Sequence, residues 1–285
     1  MSRIAYVNGR YVRHAEAGVH IEDRGYQFAD GVYEVCGIRD GRFMDEELHL
    51  ARLRRSLDES RIGLPMPLAS LRHVLREVVR RNRILNGLVY FQVTRGVAPR
   101  DHPFPPAGVK PALVVTAKRI NEARVRNAVE KGVAIVTMPD QRWARRDIKS
   151  IALLPNILAK QAAREAGAYE AWLLDADGYV TEGSSTNAWI VDQQGRLVTR
   201  PAGREILSGV TRHVLLETAR QEGVEVVERP FTADEARAAR EAFISASSAI
   251  IIPVVRIDDA AIGNGAPGSL TMRLRDAYLT YGKLT

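Results

Sequence analysis

The sequence predicts an α/β (α+β) chain of two domains, a smaller one at residues 1–119 and a larger one at 125–285, joined by a linker at 120–124. Short β-branched and aromatic runs, several closed by Asn-Gly, Asp-Gly or Gln-Gly turns, alternate with longer segments of helical periodicity. At 285 residues the chain has the length for one large or two medium domains. Around residues 120–125 the pattern turns polar and loses its period, which marks the boundary.

The elements follow in order. RIAYV and RYVRH flank Asn8-Gly9, residues that readily take the positive φ angles of a two-residue hairpin turn. VYEVCGIRDGRFM, residues 32–44, reads as a second strand pair turning at Asp40-Gly41. Helices follow at 46–61 and 68–85, divided by the Gly-Leu-Pro-Met-Pro breaker at 63–67. In the second helix Leu71, Val74, Leu75, Val78 and Val79 repeat at helical spacing, with Arg72, Arg76, Glu77, Arg80 and Arg83 largely opposite. Strands at 87–96 and 110–119 enclose VAPRDHPFPPAG, a proline-rich loop long enough to call for a function. Beyond the linker, strands at 132–138, 170–175, 187–191, 224–228 and 242–246 alternate with helices at 155–167, 209–223 and 232–240. Gln194-Gly195 turns a further hairpin, and residues 268–282 close the domain as a helix.

Composition removes several function classes. Apolar stretches such as Ala249–Val255 are far too short to cross a bilayer. MSRIAYVNGRYV lacks the apolar core of a signal peptide, and the single Cys36 excludes an internal disulfide, so a cytoplasmic protein without a membrane partner is expected. The six histidines are scattered, with neither HExxH nor zinc-type cysteine spacing, and no metal is expected. Nor is there a G-x-S-x-G elbow or a glycine-rich nucleotide loop. A formal charge of +7 raises non-enzymatic nucleic-acid binding as an alternative. Its densest basic segment, residues 71–85, is instead the solvated face of an amphipathic helix.

One cation stands apart. Of 41 Lys and Arg side chains only six are lysine, and Lys149 lies within RWARRDIKSIA. Arginine supplies charge but never a neutral amine; a lysine crowded by Arg145, Arg146 and the apolar run Ile151–Leu154 would be pushed toward one. On this segment alone, a surface lysine is the plainer reading. In YVTEGSSTNAWIV, Glu182 ends a strand and is followed by Gly183 and the hydroxyls of Ser184, Ser185 and Thr186. In isolation it reads as an exposed turn residue. ILSGVTRHVLLE places Ser208, Gly209, Val210 and Thr211 at a helix start, which either binds a phosphate through backbone N–H groups or uses Ser208 as an ordinary N-cap. Arg52, on the 46–61 helix, is either a surface arginine or a second phosphate ligand. An imine-forming lysine, a carboxylate, a helix end and an arginine are together what pyridoxal phosphate requires of a protein.

Six motifs now occur in order: EDRGYQFADGVYEV (22–35), HLARL (49–53), VYFQVTRGVAPRDHPFP (89–105), DIKS (147–150), TEGSSTN (181–187) and LSGVTR (207–212). Through them the chain resembles, nearly end to end, the D-amino-acid aminotransferases, of the same fold type (IV) as the branched-chain aminotransferases and aminodeoxychorismate lyases. The resemblance implies a two-domain fold-type IV enzyme that binds pyridoxal 5'-phosphate through a Schiff base to Lys149. It further implies that Lys149 shuttles the proton and that Glu182 faces the pyridine nitrogen. Arg52, the Val210 and Thr211 amides and the Ser247 hydroxyl would hold the phosphate, and Leu207 would press on the ring. Tyr33, with Arg100 and His102 from the neighbouring subunit of a homodimer, would grip the substrate α-carboxylate. The implied reaction is ping-pong transamination of D-amino acids such as D-alanine with 2-oxoglutarate or pyruvate. Two departures stand out: Ala246 precedes Ser247 where the family often shows adjacent hydroxyls, and Gly37-Ile38-Arg39 resembles the branched-chain enzymes. Arg39 is then an outward strand residue or a second carboxylate contact, and an L-branched-chain aminotransferase is the alternative.

Overall fold

The computed structural model describes residues 3–285, which form two compact units. The first comprises residues up to Ile120 together with Ile148–Ala152 and Lys283–Thr285; the second comprises Asn121–Asp147 and Leu153–Gly282.

The first unit opens with the hairpin β1 (Ile4–Val7) and β2 (Arg10–Arg13), turned by Asn8 and Gly9 at φ 44° and 95°. A short α1 (Arg24–Phe28) follows, then β3 (Gly31–Arg39) and β4 (Arg42–Phe43), turned by Asp40 and Gly41 at φ 51° and 75°. Helices α2 (Glu46–Glu59) and α3 (Leu68–Arg81) precede β5 (Gly87–Thr94) and β6 (Ala112–Arg119). The sheet runs β2-β1-β6-β5-β3-β4, and every pair is antiparallel. Its strands alternate as a one-sided sheet should. Val32, Glu34, Cys36 and Ile38 of β3 are buried, whereas Tyr33, Val35 and Arg39 are partly exposed. The buried side forms a core with Leu50, Leu53 and Leu57 of α2 and Leu71, Leu75 and Val78 of α3. Each such leucine removed from water contributes about 1.5–3 kcal/mol, so Leu53→Ala, at a fully buried position, would cost roughly 2–5 kcal/mol.

Two later segments complete this unit. Val32 bridges Ser150; the Tyr33 N–H donates to the Lys149 carbonyl at 3.0 Å, and the Ile151 N–H to that of Gly31 at 3.1 Å. Phe43 and Thr285 likewise exchange both backbone hydrogen bonds, at 2.8 and 2.9 Å. The basic face of α3 is largely neutralised: Arg72 pairs with Glu47, Arg76 with Glu46, and Arg80 and Arg81 with Glu77. This weakens the charge-based case for nucleic acid.

The second unit holds α4 (Glu122–Lys131), β7 (Val133–Pro139), α5 (Leu154–Glu165), β8 (Glu170–Leu174), β9 (Val180–Gly183), β10 (Asn187–Val191), β11 (Leu197–Thr199) and α6 (Val210–Gln221). These are followed by β12 (Val226–Glu228), α7 (Ala233–Arg237), β13 (Glu241–Ala246), β14 (Ile250–Ile257), β15 (Ala260–Ala261) and α8 (Ser269–Tyr281). The sheet order is β12-β11-β10-β13-β14-β7-β8-β9, with β15 attached to β14. It is mixed: β11/β12, β14/β7 and β7/β8 are parallel. Helix α5 supplies the crossover that the parallel β7/β8 pair requires. Every residue of β9, β10 and β11 is buried, so these strands lack polar alternation.

Several elements differ from the sequence reading. Residues 122–124, taken as linker, are the first turn of α4, which Asn121 caps by accepting from the Arg124 N–H. The helix expected at 68–85 stops at Arg81, where the Asn82 amide donates to the carbonyls of Val78 and Ile4 and so ends the helix against β1. The helix expected at 232–240 is the five-residue α7, and the apolar run at 249–255, to which the sequence reading gave no element, lies mostly in the strand β14. Helix α1 was not anticipated; Asp23, accepting from the Gly25 N–H, starts it.

Candidate active site

In the first unit Lys149 is fixed through its backbone. Its carbonyl accepts from Tyr33, its N–H donates to Ser56 Oγ at 3.3 Å, and its Nζ lies 4.3 Å from the centre of the Tyr33 ring. Tyr33 stands on the partly exposed face of β3, 5.5 Å from the ring of Tyr90. The Tyr90 hydroxyl donates to Gln92 Oε1 at 2.5 Å, and burial, helped by Tyr33, pushes this phenol up to about 12.

Arg52 reaches the core side of β3 and grips Glu34 with a two-pronged fork, Nε to Oε1 at 2.7 Å and Nη2 to Oε2 at 2.8 Å. His49, one helical turn earlier, bonds the same carboxylate through Nδ1 at 2.8 Å. Burial opposes ionisation of Glu34, but the charge and hydrogen bonds of Arg52, then of His49, hold it at about 2. Burial lowers His49 in turn, which keeps its imidazole neutral near pH 7. The cluster is thus one carboxylate, one guanidinium and one neutral ring, with the guanidinium aimed by two bonds.

The 97–104 loop is exposed at its tip but anchored beneath. Buried Arg24 donates Nη1 to the Asp101 carbonyl at 2.6 Å, Nη2 to that of His102 at 3.2 Å, and Nε to Asp30 at 2.8 Å. The Arg100 guanidinium lies 4.6 Å from the Phe28 ring centre and the His102 ring 5.5 Å from it. Among the described residues, no hydrogen bond or ring contact joins Arg100 or His102 to Tyr33 or Lys149 of the same chain.

In the second unit Glu182 is buried at the end of β9 and is no exposed turn residue. Arg142 Nη1 donates to its Oε1 at 2.5 Å, Asn187 Nδ2 to its Oε2 at 3.0 Å, and the Leu207 N–H to both oxygens at 3.1 and 3.2 Å. The opposite edge of Arg142 binds Asp140 through Nε at 2.9 Å and Nη2 at 2.7 Å, and Arg146 lies 3.2 Å from the same Asp140 carboxylate. Burial alone would lower Arg142; Asp140 and Glu182 overcome it and raise the guanidinium above its ordinary value. Arg145 pairs with Asp147 at 2.9 Å, so both arginines expected to crowd Lys149 are directed at carboxylates instead.

The turn between Glu182 and Asn187 rests on another buried acid. Glu170 accepts from the hydroxyls of Ser184, Ser185 and Thr186 and pairs with Lys160 at 3.1 Å. Helix α6 has Gly209, not Ser208, at its N-cap, and no side chain caps it. A Cβ at Gly209 would lie 2.1 Å from Asn187 Oδ1, so that position demands glycine. Val210 and Thr211 form the buried first turn, and Leu207 is half-buried just before it. Ser247 is half-buried in the turn between β13 and β14.

The residues present fit pyridoxal phosphate on their own chemistry. An uncapped helix N-terminus presents N–H donors suited to phosphate, and an anchored lysine offers an amine. Glu182 supplies a carboxylate already held by a guanidinium. No group of three or more His, Cys, Asp or Glu among the described residues could hold a metal ion, and no described helix is long and apolar enough to cross a membrane.

The family model for amino-transferase class IV matches residues 31–257. The chain belongs to the class IV aminotransferases. This class IV chain is similar to the D-alanine aminotransferase of Bacillus licheniformis, 43% identical over 270 residues covering 95% of this chain and 94% of the relative. It is also similar to that of Staphylococcus haemolyticus, 38% identical over 276 residues covering 97% and 96%. Among solved structures it resembles the Escherichia coli branched-chain amino acid aminotransferase, with TM-score 0.89, 25% identity, and 99% and 95% of the chains covered. It likewise resembles a T.th. branched-chain amino acid aminotransferase with pyridoxamine 5'-phosphate, with TM-score 0.88, 27% identity, and 98% and 93% covered. The fold type expected from the sequence is therefore the one this class IV aminotransferase has.

Sequence reasoning assigned no role to Arg24, Glu34, His49, Asp140, Arg142, Glu170 or Asn187. One signal was available. Glu34 occupies a core-facing place between Val32 and Cys36, and a carboxylate there requires a cation on the facing helix.

Proposed function

We propose that this enzyme transaminates D-amino acids such as D-alanine with 2-oxo acids, 2-oxoglutarate or pyruvate, by a ping-pong route on pyridoxal phosphate held covalently by Lys149. The observation that carries the choice of substrate is the near full-length match to D-alanine aminotransferases at up to 43% identity. Bound to these residues, the cofactor supplies the carbonyl carbon that exchanges the amino group and the ring that absorbs the electrons of the broken Cα–H bond.

The chain's own residues do the rest. Lys149 Nζ would hold the cofactor and, as a neutral amine, would take the Cα proton of the substrate and give it back during the exchange. Glu182 holds the ring nitrogen protonated; Leu207 limits the tilt of the ring; Arg52, the Val210 and Thr211 amides and the Ser247 hydroxyl bind the phosphate. Tyr33 offers a hydroxyl to the substrate α-carboxylate, and Arg100 and His102 of a second subunit clamp it. Fixing the carboxylate there turns the Cα hydrogen of the D-form toward Lys149, so chirality follows from position. The homodimer this requires is supported by exposed apolar side chains. Ile21 and Tyr26 of the first unit are 75% and 74% exposed, and Leu154, Ile157 and Leu158 lie along one side of α5 at 65%, 59% and 57%. The activity is assigned to the cytoplasm, in keeping with a lone, buried cysteine.

An L-branched-chain specificity is the second reading, favoured by Gly37-Ile38-Arg39 and by the solved structures. Arg39 is half-exposed beside Asp40, 4.0 Å away, which suits an outward strand residue better than a substrate ligand. The deciding experiment mixes the loaded enzyme with D-alanine and, separately, L-alanine, L-leucine and L-valine, and follows visible absorption. Bleaching by the D-form alone is expected; a response only to the branched L-acids transfers the assignment. Borohydride trapping and peptide mapping should place the label on Lys149, and a label elsewhere removes the proposed chemistry.

A further inference from the structure

We propose that Arg142 is a positioning residue that keeps the proton shared by Glu182 and the cofactor ring on the ring nitrogen. The inference rests on the reading that Glu182 faces that nitrogen. Four donor contacts converge on the two oxygens of Glu182, and the one at 2.5 Å comes from a full positive charge. The guanidinium cannot swing away. Its other edge is chelated by Asp140, Thr181 accepts from Nη2 at 3.3 Å while donating to Asp140 at 2.8 Å, and Arg146 Nε lies 3.2 Å from Asp140 Oδ2 and adds a second positive charge beside that carboxylate. The Arg142 and Asp140 side chains are 8% and 0% exposed, so solvent screens this row of charges weakly.

Within the row, Glu182 and Asp140 carry two negative charges and Arg142 and Arg146 two positive ones. A glutamate and a pyridine nitrogen in contact can share one proton in two ways, as carboxylate with pyridinium or as neutral acid with neutral ring. Both have the same total charge, so net charge does not choose between them. Distance does. The guanidinium bonds the carboxylate directly, which stabilises the anion more than it repels a cation on the far side of it. Burial without Arg142 favours the neutral acid with the neutral ring, the form that draws electrons poorly. Asn187 and the Leu207 N–H orient the carboxylate but carry no charge, so they cannot substitute.

The test is the ¹⁵N NMR shift of the ring nitrogen in enzyme loaded with ¹⁵N-labelled pyridoxal phosphate, read in the wild type and in Arg142→Lys, Arg142→Gln, Arg142→Met and Glu182→Gln. The two neutral replacements at 142 differ in polarity, so a folding failure of one leaves the other. Arg142→Gln and Arg142→Met should move the shift toward the unprotonated ring and lower kcat roughly tenfold or more with KM little changed, while Arg142→Lys keeps the wild-type shift. A wild-type shift in the neutral variants, with Glu182→Gln displaced, overturns the role of Arg142 and leaves that of Glu182 standing. An undisplaced shift in Glu182→Gln instead overturns the placement of Glu182 itself.

Discussion

Replacing Glu34 by glutamine keeps the shape of the side chain and removes the charge on which Arg52 and His49 converge. The carboxyl falls from 4.5 to about 2 on folding. That difference corresponds to about 3 kcal/mol of stability. Because the folded-state value is the lower one, this stability is complete above the unfolded value of 4.5 and disappears as pH falls toward 2. Urea unfolding at pH 7 should therefore show Glu34→Gln less stable by about 3 kcal/mol, a gap that shrinks to less than half near pH 3. At pH 7 His49 does not blur the comparison, since its burial favours the neutral ring and an ionised carboxylate can only accept from its Nδ1–H. With the fork lost, Arg52, the proposed phosphate ligand, should also bind the cofactor less well, which fluorescence titration of the cofactor-free protein reads separately. A gap below about 1 kcal/mol at pH 7, or one of constant size across the pH range, would refute this account of the cluster.

Gly209→Ala should weaken cofactor binding by roughly tenfold or more, because the new methyl meets an Asn187 side chain already held by Glu182 and the Leu207 carbonyl; equilibrium dialysis measures it. Arg24→Met should free the 97–104 loop by removing its bonds to the Asp101 and His102 carbonyls, raising the amino-acid KM roughly tenfold or more with a smaller change in kcat in steady-state assays. Cys36 is buried and its thiol is pushed well above the ordinary range by burial and then by Glu34, so Ellman's reagent should find no reactive thiol in the native protein and one after unfolding in urea.

Local signals in the sequence specified local geometry well. Asn8-Gly9 and Asp40-Gly41 each became the turn of a hairpin, since the positive φ such turns need is nearly confined to these residue types, while Gln194-Gly195 lies in the longer β10–β11 turn, where Gly195 alone has a positive φ. Lys149 stood out because arginine was used for almost every other cation. Helix α4 escaped because its apolar positions, Val125, Ala128 and Val129, lie beyond the polar opening that was read as a linker. The supporting shell of the site was illegible for another reason. Arg142 and Glu182 are 40 residues apart, Arg52 and Glu34 are 18, and Arg24 and Asp101 are 77. Nothing periodic connects such pairs; folding alone brings them together. Where Ser208 looked like a helix cap, the cap is Gly209, because the space beside it belongs to the Asn187 amide.

The first unit is not continuous along the chain, and this governs how it can be made. On a ribosome the residues up to Ile120 emerge first, while the Gly31–Tyr33 edge still lacks Lys149–Ile151 and Phe43 still lacks Thr285. Until those segments emerge, the nascent sheet carries ragged margins, the sort of strand edge that recruits other chains. Lys149 arrives with the strap that seals one of them, so the amine proposed to hold the cofactor and the edge protection come in the same event.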